Sequence, residues 1–167
     1  MDPRVDPLRT QLRLNSRLFV NCFEGVDDGL AQRRVSAVGF AVEANPMAFL
    51  GVHLVDSRHI LARLLGKTLD KPFPQYDSVR HASQIAEYPA VSDILDAWHQ
   101  LAGALDGLLP ELTDDVLGGK APYDFPVQAD DATMLGGLAF LLQHEAYHLG
   151  QLALLRKLLG LPAMSYA

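Results

Sequence analysis

The chain has 167 residues, of which 49% are hydrophobic and 20% charged, a composition typical of one globular domain spanning residues 1–167. The net charge of −6 and the lack of a lysine and arginine cluster argue against nucleic acid as a partner. No secretory signal is visible, and the longest apolar run, residues 134–142, is far shorter than the ~20 residues that span a bilayer. A cytoplasmic protein without a membrane partner is expected.

The first predicted helix runs from about Pro7 to Glu24, because apolar residues recur there at helical spacing. Asn15 interrupts this apolar stripe. Cys22 lies on it and is expected to serve as a small core hydrophobe rather than a reactive thiol. As the single cysteine, it excludes an internal disulfide and fits a reducing compartment.

The second predicted helix starts with Asn45 as the N-cap and Pro46 in its first turn, and ends at Gly66. The preceding segment, residues 35–42 (VSAVGFAV), is ambiguous: a short strand, a buried loop and an extra helical turn all remain open.

Two further helices complete the pattern. The third is predicted to start at Ser92 as the N-cap and to end at Pro110, and the fourth to run from Asp130 or Asp131 to Leu159. Long loops rich in proline, glycine and aspartate separate the helices, and no hairpin signal is present. The sequence therefore predicts an all-α four-helix bundle with long crossover loops.

Histidines interrupt the apolar faces of two of these helices. His144 and His148 lie one turn apart on the fourth helix, with Gln151 on the same side. His53 lies at the centre of the apolar face of the second helix, whereas His59 falls near the opposite side and is expected to face water. Buried polar groups need partners, and a divalent metal on three imidazoles would provide one.

The neighbours of these histidines have more than one reading. Gln151 is expected to hydrogen-bond a ligand histidine or a water on the metal, or simply another helix. Asp56, three residues after His53, is expected either to orient that ring or to be solvated. A structural bundle with hydrogen-bonded core histidines is the alternative to a metal site.

The stretch His144–His148 also fits HExxH, the zinc-peptidase signature, in which the glutamate is the general base. However, the 19 residues after His148 contain no further ligand, and no sheet edge is predicted to hold an extended peptide. A peptidase is therefore not favoured. Glu145 is predicted either to reach a water on the metal, as a catalytic residue together with Gln151, or to be an exposed acid.

The segments HEAYHLGQLALLRKLLG and NPMAFLGVHLVDSRHILARLLG resemble the DinB/YfiT-like metalloprotein superfamily in their histidine pattern. The resemblance implies a bundle of up-down-down-up type, usually a homodimer, with zinc or nickel on three histidines. The matching positions here are His53, His144 and His148. The consecutive glycines Gly136 and Gly137 in an apolar stretch give weak sequence support for a dimer.

The resemblance also implies a small-molecule substrate and one of two chemistries. One is transfer of a low-molecular-weight thiol to a small electrophile, and the other is hydrolysis. Arg58 and Arg80 are candidates to hold the carboxylates of such a thiol. A non-catalytic protein that binds a metal or small ligand on the same scaffold is the alternative.

Overall fold

The computed structural model describes residues 2–36, 43–77, 79, 81–121 and 132–166. Within these ranges it contains four long helices and two short ones. In chain order they are α1 (Val5–Phe23), α2 (Asp28–Gln32), α3 (Met47–Leu64), α4 (Val91–Leu108), α5 (Asp114–Gly118) and α6 (Met134–Leu158). One-turn 3-10 helices lie at Pro74–Tyr76, Ala82–Gln84 and Leu109–Glu111. The predicted all-α class is confirmed.

A minimal antiparallel pair of strands precedes α3. Strand β1 (Val35–Ser36) pairs with β2 (Glu43–Ala44), with Val35 opposite Ala44. The start of the ambiguous segment is thus a short strand, and its remainder, residues 37–42, lies outside the described residues. Sequence reasoning missed this pairing because two-residue strands carry no alternating pattern.

The helix starts differ from the predictions by a few residues. Ser92 is not the N-cap of α4, which begins at Val91, and its first N–H donates to Asp28 Oδ1 at 2.7 Å. A side chain from another helix therefore caps α4. Pro46, not Asn45, precedes α3, and Thr133 caps α6 by accepting from Gly136 N–H.

Each long helix packs against two of the others: α1 against α4 and α6, and α3 against the same two. Two buried apolar clusters result. One contains Phe19, Leu54 and Trp98, and the other contains Leu61 and Leu142. Along α1, α3 and α6, the positions between the two clusters carry buried polar residues, described below.

Cys22 is fully buried, and its burial raises the pKa of the thiol to about 12. It is a core residue, as predicted. Gly136 and Gly137 are also buried in α6, so their neighbourhood is already packed within the chain. Among the described residues, no helix combines the length and the apolar character that crossing a bilayer requires.

The prediction that His59 faces water is wrong. Its side chain is buried, and Nε2 donates to the carbonyl oxygen of Leu69 at 2.9 Å. The chain turns back after α3 at Gly66, which has a φ of +83° that favours glycine, and covers this side of the helix. A helical wheel drawn for α3 alone cannot include that covering segment.

Candidate metal centre

Helices α3 and α6 bring the three predicted histidines together. The Nε2 atom of His144 lies 3.2 Å from Nε2 of His53 and 3.0 Å from Nε2 of His148. Among the described residues, these three form a group whose potential ligand atoms all lie within 4.8 Å of one another. Two nitrogens bound to one zinc at about 2.0–2.1 Å lie about 3.3 Å apart in a tetrahedral site. We call this group the histidine site.

A hydrogen bond to Gln151 assigns the tautomer of His148. Nδ1 of His148 lies 2.6 Å from Gln151 Oε1, an acceptor, so Nδ1 donates and Nε2 carries a lone pair. Nδ1 of His144 lies 3.5 Å from Ser57 Oγ, and the Ser57 hydroxyl donates to the carbonyl oxygen of His53.

The lone pair on Nε2 of His148 thus points toward Nε2 of His144, 3.0 Å away. Either a hydrogen on the His144 nitrogen or a cation can lie between the two nitrogens, and imidazole is a good ligand for zinc, nickel and copper. The donor set and its geometry therefore fit a divalent metal ion.

Electrostatics keep these rings neutral, which is the form that binds metals. Burial lowers the pKa of His144 to about 4, and repulsion from His148 and His53 adds to this effect. Burial also lowers the pKa of His53 and that of His148, although the hydrogen bond from His148 to Gln151 partly opposes the second shift. Protons therefore compete weakly for the site near neutral pH.

Gln151 lies where one of its sequence readings put it, bonded to a candidate ligand histidine. Its amide Nε2 donates to the hydroxyl of Tyr147 at 3.2 Å, which orients its Oε1 toward His148. Its catalytic role stays a prediction. Asp56 fits its solvated reading: its side chain is 36% exposed, and Lys71 Nζ lies 2.7 Å from its Oδ1 in a partly exposed ion pair.

Glu145 occupies a different side of α6. It is only 1% exposed, and Arg58 Nε donates to its Oε1 at 2.8 Å, while Arg58 Nη2 and Asn15 Nδ2 donate to its Oε2 at 3.2 and 3.1 Å. The exposed-acid reading is wrong. The catalytic reading finds no support in these contacts, because both carboxylate oxygens already have partners.

Arg58 is itself fully buried, with its guanidinium carbon 3.4 Å from the centre of the Trp98 ring. Its Nη1 has no hydrogen-bond partner among the described residues, and the negative ring face offsets part of that loss. Asn15, Arg58 and Glu145 form what we call the Arg58 network. The prediction that Arg58 holds a thiol carboxylate is wrong, and Arg80 lies outside the described residues.

A pocket of about 300 Å³ opens beside the histidine site, with His53 and His148 in its wall. Most of its surface is apolar. The apolar lining residues are Phe49, Leu50, Val52, Val55, Pro72, Phe73, Tyr76, Val79 and Ile85. Asp56, Lys71 and Asp77 also line it, and we call these three charged residues the charged rim.

Sequence reasoning missed the six of the fifteen pocket-lining residues that lie in residues 71–79. That segment contains two prolines and two aromatic residues and was read only as a loop. Phe73 and Tyr76 in an otherwise polar connection were the available signal, since aromatic side chains tend to be buried.

An all-α protein with a three-histidine site beside an apolar pocket is the class that this geometry defines. The family model of the DinB superfamily matches residues 11–152, which include parts of all four long helices and every histidine of the site. The chain belongs to the DinB superfamily. No curated protein matches the chain closely enough to add to that assignment.

Proposed function

We propose that this protein is a divalent-metal-dependent enzyme that transfers a low-molecular-weight thiol to a small electrophile. The observation that carries the proposal is the pocket beside His53 and His148, which leaves room for a small molecule next to the converging Nε2 atoms. The helix contacts fit a four-helix bundle, and we propose the up-down-down-up order that the family resemblance implies.

His53, His144 and His148 would hold the ion, and zinc or nickel suits an all-imidazole set. Three protein ligands leave a coordination position open, as in catalytic rather than structural sites. The ion would supply Lewis acidity, which lowers the pKa of a thiol or water at that position. Gln151 would keep His148 in the tautomer that presents Nε2.

Thiol transfer is favoured over hydrolysis because the two acids near the histidines are both held in ion pairs. The HExxH glutamate is held by Arg58, and Asp56 at the pocket is held by Lys71. Neither carboxylate is free to serve as a general base for water. A thiol ionises far more readily than water, so it needs no protein base beyond the ion. The sulfur would bond to the electrophilic carbon as the bond from that carbon to the halide or epoxide oxygen breaks, and the thiol proton would go to that oxygen or to solvent.

The test is a screen of small thiols against alkyl halides and epoxides, with zinc-loaded, nickel-loaded and chelated protein. We expect turnover that requires both the thiol and the metal. A His144→Ala variant should lose stoichiometric metal by elemental analysis and lose turnover. A matched His99→Ala variant, at an exposed position on α4, should retain both.

The other outcomes separate the alternatives. Ester or amide cleavage without a thiol would favour hydrolysis. Stoichiometric metal without any turnover would favour a non-catalytic metal-binding or ligand-binding protein. Equal turnover in chelated and loaded protein would exclude metal-dependent chemistry of either kind.

We also propose a homodimer, on different grounds from the buried Gly136 and Gly137. Tyr147, Leu154 and Leu158 are more than half exposed, and their spacing puts them on one side of α6. An apolar stripe of this kind is typical of a helix that packs against a partner. Light scattering should give a mass twice that of one chain, and the Leu154→Lys variant should have the mass of a single chain.

A further inference from the structure

The Arg58 network joins the two helices that carry the histidine site. Arg58 on α3 follows His53 by five residues, and Glu145 on α6 directly follows His144. Arg58 Nε and Nη2 donate to the two carboxylate oxygens of Glu145 at 2.8 and 3.2 Å, a two-point contact that fixes orientation as well as distance. One residue earlier on each helix, Ser57 Oγ lies 3.5 Å from Nδ1 of His144. The ion pair and the candidate ligand therefore occupy adjacent steps of the same helix pair.

Residues of the other two long helices hold this ion pair in place. Asn15 on α1 donates through Nδ2 to Glu145 Oε2 and to the carbonyl oxygen of Leu142, each at 3.1 Å. The Trp98 ring on α4 lies against the guanidinium, and its Nε1 donates to the carbonyl oxygen of Ser16 on α1 at 3.1 Å. All four long helices thus contribute to one buried junction beside the histidine site.

A metal site tolerates little movement of the helices that carry its ligands. The tip of a side chain lies about 5–6 Å from the axis of its helix, so a rotation of α6 by about 10° would move His144 Nε2 by about 1 Å. Metal–ligand distances hold to about 0.2 Å, and a preformed site needs its groups within about 0.5 Å. Because His144 and Glu145 are neighbours in one helix, a contact that fixes Glu145 also fixes the direction of His144.

We propose that Arg58 and Glu145 are positioning residues for the histidine site: their two-point ion pair sets the rotation of α6 against α3 at which the three histidines converge. They would act through helix placement, without touching the ion. The inference rests on the metal site of the proposed function. Stability alone is a weak explanation for this pair, because apolar residues of similar volume often replace a buried ion pair without loss, although apolar repacking gives up a unique arrangement first.

The experiment measures zinc affinity by competition with a chromophoric chelator in wild type and two variants. The double variant Arg58→Met with Glu145→Leu keeps all three histidines and an uncharged core but loses the two-point contact. We expect it to bind zinc about tenfold more weakly, the lower end of the range for residues that orient metal ligands.

The matched control is Leu105→Ala. Leu105 is fully buried on α4, which carries none of the three histidines, so its truncation should lower stability through a cavity. A protein that remains folded keeps its site, so the zinc affinity of this variant should stay within about twofold of wild type.

Cobalt(II) in place of zinc adds a spectroscopic measurement, because its ligand-field bands report coordination geometry. These bands should change in the double variant and stay unchanged in Leu105→Ala. Should the double variant fail to fold, Arg58→Lys replaces it: lysine keeps the charge but cannot make the two-point contact, and zinc should bind about threefold more weakly.

Wild-type zinc affinity and an unchanged cobalt spectrum in the folded double variant, or in Arg58→Lys where that variant replaces it, overturn the positioning role and leave the metal-dependent function intact. An equal loss of affinity in Leu105→Ala also overturns it, since lower stability would then explain the effect. A wild-type protein that binds neither metal contradicts the proposed function itself and this inference with it.

Discussion

The same two helices, α3 and α6, carry two polar groups with opposite character. In the Arg58 network, a buried cation meets a buried anion, and Asn15 donates to the carboxylate oxygen that Arg58 Nη2 also reaches. In the histidine site, like groups meet, with the Nε2 atoms of His144 and His148 3.0 Å apart. His144 and Glu145 are adjacent in sequence, but they point about 100° apart around α6.

The Arg58 network finds its partners within the protein core, whereas the histidine site borders a pocket. The Arg58 network is closed: its charges neutralise each other inside the core. The histidine site is open: it borders the pocket, and its three nitrogens could hold a metal ion. The histidine site is therefore the candidate ligand site, even though HExxH alone directs attention to Glu145.

The largest effect should come from breaking the closed network. Arg58→Met leaves the Glu145 carboxylate buried without its cation, which is expected to lower the free energy of unfolding by about 3–5 kcal/mol. Urea denaturation monitored through Trp98 measures this. The double variant Arg58→Met with Glu145→Leu removes both charges and should recover most of the loss. Equal instability of the single and double variants would contradict a charge-based explanation.

A smaller effect is expected from loosening the open site without removing a ligand. Gln151→Leu deletes the acceptor for His148 Nδ1 and should weaken zinc binding about 10–100-fold, measured by competition with a chromophoric chelator. Tyr147→Phe removes the hydroxyl that orients the Gln151 amide but keeps the acceptor, so its loss should be clearly smaller. Similar losses in both variants would argue against a specific role for the Gln151 oxygen.

The pH dependence of the metal-free protein should follow from the lowered histidine pKa values. The folded pKa of His144 is about 4, below the ordinary value of 6.5, so the unfolded chain takes up its proton first as the pH falls. Stability should be complete above about pH 6.5 and decline from there to about pH 4. Thermal melts of wild type and His144→Leu check this, since the variant should have a flatter profile across that window.

The smallest effect is expected at a surface ion pair. Asp106 accepts from Arg9 and Arg13, at 2.8 and 2.7 Å from their Nε atoms, and the hydrogen bonds from Arg13 and Arg9 hold the pKa of this carboxyl well below its usual range. Water and salt screen this partly exposed cluster, so Asp106→Asn should cost no more than about 1 kcal/mol. A loss of unfolding free energy as large as that of Arg58→Met would mean that burial does not explain the difference in stability contribution between the two ion pairs.

The sequence by itself determined the all-α class, the approximate extent of the four long helices and the three histidines. Apolar spacing marks buried helix faces, and a histidine on such a face is conspicuous because polar residues are rarely buried without partners. The family resemblance rested on the same positions, His53, His144 and His148.

Only the tertiary structure decided what surrounds those positions. Glu145 pairs with Arg58, which is 87 positions away, and His59 bonds to the carbonyl oxygen of Leu69, which is 10 positions away. Lys71 lines the pocket from the loop that follows α3. A helical wheel gives the direction of a side chain but not the chain segment that later covers it. The charges and walls of the site depend on that covering, which local periodicity cannot encode.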